Sequence, residues 1–211
     1  MSAERREQIL QAAYEAIDEH GERASLQDIA DRVGVTQPAL TYYFPTRDDL
    51  LIAVLERRDV VGRALAGASE EGQNTIDGLV ASTRLTTDHP GLAKLYVMLS
   101  AAATDPDSPA RSYFTERYRR YAAEITEDME YGQRTGVIRA DESADHLARM
   151  VLAVLDGLQI QWMYDPAVDL AAIVEAFMKL LAGSGQEAAA SPDEHDPMPP
   201  ALAPILADDK I

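Results

Sequence analysis

The chain has 211 residues, 46% of them hydrophobic, with 19 Lys+Arg against 36 Asp+Glu and a formal net charge of −17; this composition excludes wholesale disorder and suits one medium domain or two small ones sharing a core. Cysteine is absent, which removes disulfides, thiolate metal sites and cysteine nucleophiles and suits a reducing cytoplasm. No apolar run approaches the ~18–20 residues of a membrane span, and the amphipathic start lacks a signal peptide's uninterrupted apolar stretch, so neither membrane nor export is expected.

Helical periodicity runs from end to end. Residues 3–20 set Ile9, Ala12, Ala13, Ala16 and Ile17 along one stripe of a helix that Gly21 can end. A short second helix puts Leu26, Ile29, Ala30 and Val33 on one face; Ser25 with Asp28 makes a capping box in which Asp replaces the usual Glu, and Gly34 closes it. Thr36 caps a third helix with Pro38 in its first turn, where a missing N–H does no harm, and Pro45 stops it. Thr46 with Asp49 opens a longer helix carrying Leu50, Leu51, Val54, Leu55, Val61 and Leu65. Further helices are predicted over 74–88, 91–104, 110–134, 143–163 and 168–182, separated by His89-Pro90-Gly91, by Asp105-Pro106-Asp107-Ser108-Pro109, by the Gly136 region and by Asp165-Pro166. No segment alternates with period two for long enough to make a strand. The expected fold is all-α, about nine helices, with a three-helix N-terminal domain over 1–48 and a helical domain over 49–182. The segment 183–211 differs in kind: five prolines and six acidic residues against one lysine read as a disordered acidic tail.

Residues 25–47 carry the functional signal. Two short capped helices joined by a tight turn through Gly34-Val35-Thr36 make a helix-turn-helix, in which one helix braces against the DNA backbone and the next lies in the major groove. Val35 sits inward to fix the angle between them, and Ala30 is small enough to let them approach. Ala39, Leu40 and Tyr43 or Phe44 face the core, leaving Gln37, Pro38, Thr41 and Tyr42 exposed. Gln can pair with adenine, and Thr and Tyr hydroxyls reach phosphates or bases. Charge argues the other way: residues 1–50 hold five Arg, no Lys and ten acidic residues.

The order Asp28-Ile29-Ala30, Gly34-Val35, Tyr42-Tyr43-Phe44 and a capped helix opening near Arg47-Asp48-Asp49-Leu50-Leu51 resembles the DNA-binding motif of the tetracycline-repressor (TetR) family over residues 5–55. The remainder resembles that family only in the number and order of its helices. Two departures stand out. Thr41 occupies a position where many members carry an aromatic residue, so that a common phosphate contact is either lost or moved to Tyr42, and Pro38 stands where a small residue is usual. The resemblance implies that Arg47 contacts phosphate at the positive end of the fourth helix. The DNA-facing set is then Ser25, Thr36, Gln37, Pro38, Thr41, Tyr42, Tyr43 and Arg47 on a double-stranded operator.

The same resemblance implies a homodimer in which the last two helices form a four-helix bundle with their partners. The spacing supports it: Leu147, Val151, Val154, Leu155 and Leu158, and on the next helix Ile173, Val174 and Phe177, make these helices apolar over more than one stripe, so that they need two burial partners. The other reading is two central core helices. The resemblance also places a small-molecule effector pocket among the middle helices, with Tyr96, Leu99, Phe114, Tyr118 and Tyr121 as its walls and Gln159 and Trp162 approaching from the eighth helix; an aromatic stripe of this kind also suits ordinary core. Arg84 and His89 are candidates to face an anion.

Enzymatic signatures are missing. There is no Gly-x-Ser-x-Gly elbow, phosphate loop or dinucleotide fingerprint. His20, His89, His146 and His195 are not spaced as paired ligands, and Glu142 with His146 reads as a solvated helix face, so no catalytic residue, metal or cofactor is expected. The function expected is a ligand-responsive repressor released from a palindromic operator; the alternative is an interaction module that keeps the helix-turn-helix without operator binding.

Overall fold

Each helix has a start and a stop that local chemistry explains. In the computed structural model, which describes residues 3–67 and 75–183, the described residues form nine α-helices: α1 (Ala3–His20), α2 (Leu26–Val33), α3 (Gln37–Tyr43), α4 (Arg47–Gly67), α5 (Thr75–Asp88), α6 (Pro90–Ala102), α7 (Arg111–Arg134), α8 (Ala144–Tyr164) and α9 (Leu170–Leu181). The all-α expectation holds. Two small features were not foreseen: a 3-10 turn at Gly21–Arg23 after α1, and an antiparallel bridge between Ile138 and Ala182. In that bridge Arg139 N–H donates to the Leu181 carbonyl at 2.9 Å and Gly183 N–H to the Val137 carbonyl at 2.8 Å. The acidic segment expected to be disordered lies outside the described residues, apart from Gly183.

The chain divides into two compact units, one drawn from Met1–Val61 and Leu85–Glu116, the other from Gly62–Arg84 and Arg117–Ile211. In the first, α1 buries Ile9, Leu10, Ala13, Tyr14, Ala16 and Ile17 and packs on α2 and α6. Leu40 of α3, Phe44 after it, and Leu50, Val54 and Leu55 of α4 are buried too; each such side chain contributes ~1.5–3 kcal/mol over leaving it in water. Polar ties add direction. Arg57 of α4 pairs with Glu7 and donates to Gln11 Oε1 at 2.6 Å on α1. Buried Asp59 accepts from Tyr113 Oη at 2.9 Å, and buried Arg58 donates to Thr86 Oγ1 at 3.3 Å while its guanidinium lies 5.3 Å from the Tyr96 ring centre. At the foot of α6, Gly91 lets the backbone of that helix come hard against the last turn of α1.

The second unit is built around α8 and α9. Leu147, Ala148, Val151 and Leu158 of α8 pack with Leu170, Val174, Met178 and Leu181 of α9, with Ile125 and Met129 of α7, and with Leu79 and Ile138. Ser143 caps α8 by accepting from the His146 N–H, and Asp169 caps α9 by accepting from the Ala172 N–H.

Candidate nucleic-acid interface

The turn between α2 and α3 is set by three local devices. Ser25 Oγ accepts the Asp28 N–H at 3.1 Å, while Asp28 Oδ2 accepts from the Ser25 N–H at 3.1 Å and from its hydroxyl at 2.6 Å, a complete capping box. Gly34 then takes the left-handed conformation at φ 69°, which a side chain would strain, and Val35 N–H donates to the Ala30 carbonyl at 3.0 Å. Thr36 Oγ1 accepts from the Ala39 N–H at 3.3 Å to start α3.

The Ser25 hydroxyl first, and its amide second, hold the Asp28 carboxyl below the usual carboxylate range. A carboxyl whose pKa falls on folding stabilises above its unfolded pKa and loses that contribution as pH drops through the lowered value, so this cap holds at neutral pH and opens in acid. Ser25→Ala is expected to lower the melting temperature by about 2–4 °C, the shift that a typical lost cap of ~1 kcal/mol produces in a chain of this size. Thermal unfolding followed by circular dichroism checks it.

Leu40 and Phe44, 0% and 2% exposed, anchor α3 from below. Above, Gln37 and Pro38 are exposed, Thr41 and Tyr43 are half-buried, and Tyr42 is 68% exposed. Thr41 donates its hydroxyl hydrogen back to the Gln37 carbonyl at 2.7 Å, which leaves that oxygen only its acceptor side. The Tyr42 and Tyr43 rings meet edge to face at 5.6 Å, restricting the exposed ring. Arg47 is half-buried and donates through Nη1 to the Ala24 carbonyl at 2.9 Å. That bond braces the start of α4 against the segment leading into α2. A second capping box lies beneath it, with Thr46 Oγ1 accepting the Asp49 N–H at 3.0 Å and Asp49 Oδ2 accepting the Thr46 N–H at 2.9 Å.

Other site expectations divide between the units. Tyr96 and Phe114 belong to the first, where they are 2% and 4% exposed with ring centres 5.4 Å apart. Leu99 in the same unit is half-buried. Tyr118, Tyr121, Gln159 and Trp162 belong to the second. There Tyr118 Oη donates to Asp156 Oδ2 at 2.6 Å, Gln159 is buried, Trp162 packs against the α8–α9 core, and Arg117 and Arg120 lie 4.6 and 5.2 Å from the centre of the Tyr121 ring. Asp156 carries no hydrophobic signal, which is why periodicity overlooked it. His89 faces a carboxylate in place of the expected anion, its Nδ1 lying 2.6 Å from Asp18 Oδ2; Arg84 is exposed.

The residues of the expected dimer surface differ in exposure. Leu147, Val151, Leu158 and Val174 are 1–6% exposed in the single chain and are already used by its own core. Val154, Leu155 and Phe177 pack partly against that core. Of the expected set, Ile173 alone is exposed, at 40%. Other large apolar side chains left open on these helices are Met150, Ile160 and Tyr164 on α8, and Leu180 at 70% on α9. With exposed Ala153 and half-buried Gly157, the α8 residues recur every three or four positions, a seam of the kind helices use to pair.

Glu142 and His146 form a solvated pair at 2.8 Å, and among the described residues no group of three or more His, Cys, Asp or Glu side chains is placed to hold a metal ion. No helix among them is long and apolar enough to cross a membrane.

Residues 9–54 match the family model of the bacterial regulatory proteins of the tetR family, and residues 79–184 match that of the C-terminal domain of BetI-type transcriptional repressors. The chain belongs to the TetR family. This TetR-family chain is 28% identical over 188 residues to the transcriptional regulator TtgR of Pseudomonas putida, a match covering 83% of the chain and 88% of TtgR. It is 34% identical over 87 residues to the transcriptional activator FasR of Mycolicibacterium smegmatis, covering 41% of the chain and only 34% of FasR. Its fold matches that of a transcriptional regulator from Saccharomonospora viridis solved in complex with choline, with a TM-score of 0.70, 24% identity, and coverage of 86% and 99% of the two chains. TetR-family regulators bind DNA operators and small-molecule effectors and act as dimers. The chain is accordingly a ligand-responsive DNA-binding transcriptional regulator, and the reading as an interaction module without operator binding is not favoured.

Proposed function

We propose that this TetR-family chain is a repressor that grips a palindromic operator as a homodimer and releases it when a small molecule binds. The observation that carries the reading is α3 itself: a seven-residue helix locked from below by Leu40 and Phe44, with Gln37, Pro38 and Tyr42 turned to solvent. In this reading residues 1–48 read DNA, residues 49–182 bind effector and partner, and the protein works in the cytoplasm, where the DNA is. Gln37 pairs with a base edge, Thr41, Tyr42 and Tyr43 reach bases or phosphates, and Ser25, Thr36 and Arg47 serve the backbone. Two recognition helices ~34–36 Å apart fit half-sites one helical turn apart. With a net charge of −17, affinity for random DNA stays weak.

Selection of duplexes from a random pool, followed by sequencing, tests this. A palindrome with half-sites centred about 10 base pairs apart is the expected product; an unenriched pool overturns the reading. On the selected duplex, Tyr42→Ala is expected to weaken binding about 10- to 100-fold, equivalent to ~1–3 kcal/mol. Its melting temperature stays at the wild-type value, because the side chain is largely in water.

The effector site is assigned to the second unit, where Tyr118, Asp156, Gln159 and Trp162 combine an apolar wall with a carboxylate. The BetI-type match of the C-terminal half and the choline bound to the Saccharomonospora regulator make choline the first probe, read as release of the selected duplex.

A further inference from the structure

An acidic protein that binds DNA must place its few cations well. Residues 1–50 contain five arginines, and most are already engaged. Arg5 donates to the Val33 carbonyl at 3.4 Å, Arg32 pairs with Glu19 at 2.5 Å, and Arg47 braces Ala24. Arg23 lines a cleft with the carboxylates Asp18 and Glu19. Arg6 differs from all of these. It is exposed, like Arg23, but its guanidinium lies over the ring of Phe44, 4.8 Å from the ring centre.

Phe44 is the C-cap residue of α3, so this contact fixes a positive charge at the end of the recognition helix, 38 positions away in sequence. A guanidinium laid over a ring uses its face, and its N–H donors point outward in its plane, free for a second partner. A helix seated in the major groove has phosphate ridges at its ends. The planar fork of Arg6 is shaped for a phosphate, and the buried ring beneath removes part of the ordering entropy that a free arginine would lose on binding.

We infer that Arg6 is a phosphate-binding residue of the operator complex, held in place by Phe44 at the C-terminal end of α3. The inference rests on the DNA-binding reading above and adds to it a residue that precedes the segment 9–54 matched by the family model.

The test is the salt dependence of affinity for the selected duplex. Each phosphate contact adds ~0.9 to the slope of log K against log salt, so losing one contact in each of two subunits is expected to lower the slope by about 1.8. Arg6→Ala and Arg6→Met both show this drop, Met keeping an unbranched stem over Phe44 so that lost packing is separated from lost charge. Arg6→Lys retains the wild-type slope. Arg63→Ala, which removes an exposed cation of the other unit, also leaves it unchanged. If Arg6→Ala and Arg6→Met weaken binding equally at every salt concentration with an unaltered slope, Arg6 only packs on Phe44 and the inference is overturned. A wild-type protein that selects no duplex sinks the DNA reading instead, a result distinct from either.

Discussion

Replacing Ile173 and Leu180 together by glutamate is expected to convert the protein to monomers and lower its affinity for the selected palindrome by about 10²- to 10⁴-fold, the factor that a linked second site supplies. The two residues stand seven positions apart on one face of α9, and their exposures of 40% and 70% mean that the isolated subunit gains little from them. A charge at each position therefore leaves the subunit folded and opposes only the burial that pairing would bring. Sedimentation analysis reads the mass, and titration of the palindrome and of one isolated half-site reads the affinity. The half-site affinity should be unchanged. Leu147→Ala provides the contrast: at 2% exposure its loss acts on the subunit's own core, lowering stability by ~2–5 kcal/mol without selectively separating subunits. A variant pair at 173 and 180 that stays dimeric would move the interface off α9.

Gly91→Ala is expected to be the most disruptive single-atom change in the first unit. A Cβ at this position would stand 2.3 Å from the Ile17 carbonyl oxygen and 2.4 Å from that of Asp18. Both obstacles are backbone atoms of α1, so no side-chain rotation relieves them. Either α6 moves away from α1 or the last turn of α1 opens. The neighbouring His89–Asp18 contact at 2.6 Å, and the Tyr14 ring whose centre lies 5.7 Å from that of His89, would be pulled apart with it. Overpacking of this kind costs about 1–3 kcal/mol, a fall of ~2–12 °C in melting temperature for a chain of this length. The higher helix propensity of alanine, up to ~1 kcal/mol, acts against this and is smaller than the upper part of that range. A melting temperature at or above wild type would show that α6 and α1 do not meet as closely as the structure has them.

The two variants probe what sequence leaves open in different ways. The caps were readable because each is a short-range bond: Ser25 with Asp28, Thr46 with Asp49, and a left-handed Gly34 all lie within one turn of what they terminate. The same is true of α3, whose Thr36 cap and first-turn Pro38 mark its start before any tertiary contact exists. The exposed face of α3 was also legible, since Leu40 and Phe44 are its large apolar anchors and leave Gln37, Pro38 and Tyr42 outside. On α8 that logic failed. The helix carries large apolar residues on several sides, among them Leu147, Met150, Val151, Val154, Leu158 and Ile160, and periodicity cannot rank one stripe above another. Within that apolar surface Leu147, Val151 and Leu158 are core, while Met150, Ile160 and Tyr164 are exposed.

Arg47 and Arg6 show the same division for charge. Both lie in the DNA-binding motif or just before it, and residue type alone favours Arg47, at the start of a helix. Its bond to Ala24, 23 positions earlier, and the stacking of Arg6 on Phe44 are encounters between distant segments, and no local pattern encodes them. His89 is a third case: a free histidine in sequence, it becomes the partner of Asp18 across 71 positions.

What the sequence determined by itself was therefore the helices, their ends, the helix-turn-helix and the family, because hydrogen bonds within one turn and a repeat of 3.6 residues are properties of neighbouring residues. Only the tertiary structure decided which apolar stripe is spent on the subunit's own core, which arginine stays available, and where a backbone must do without a Cβ. Those outcomes depend on which surfaces meet, and long-range contact is set by packing of the whole chain at close to crystal density.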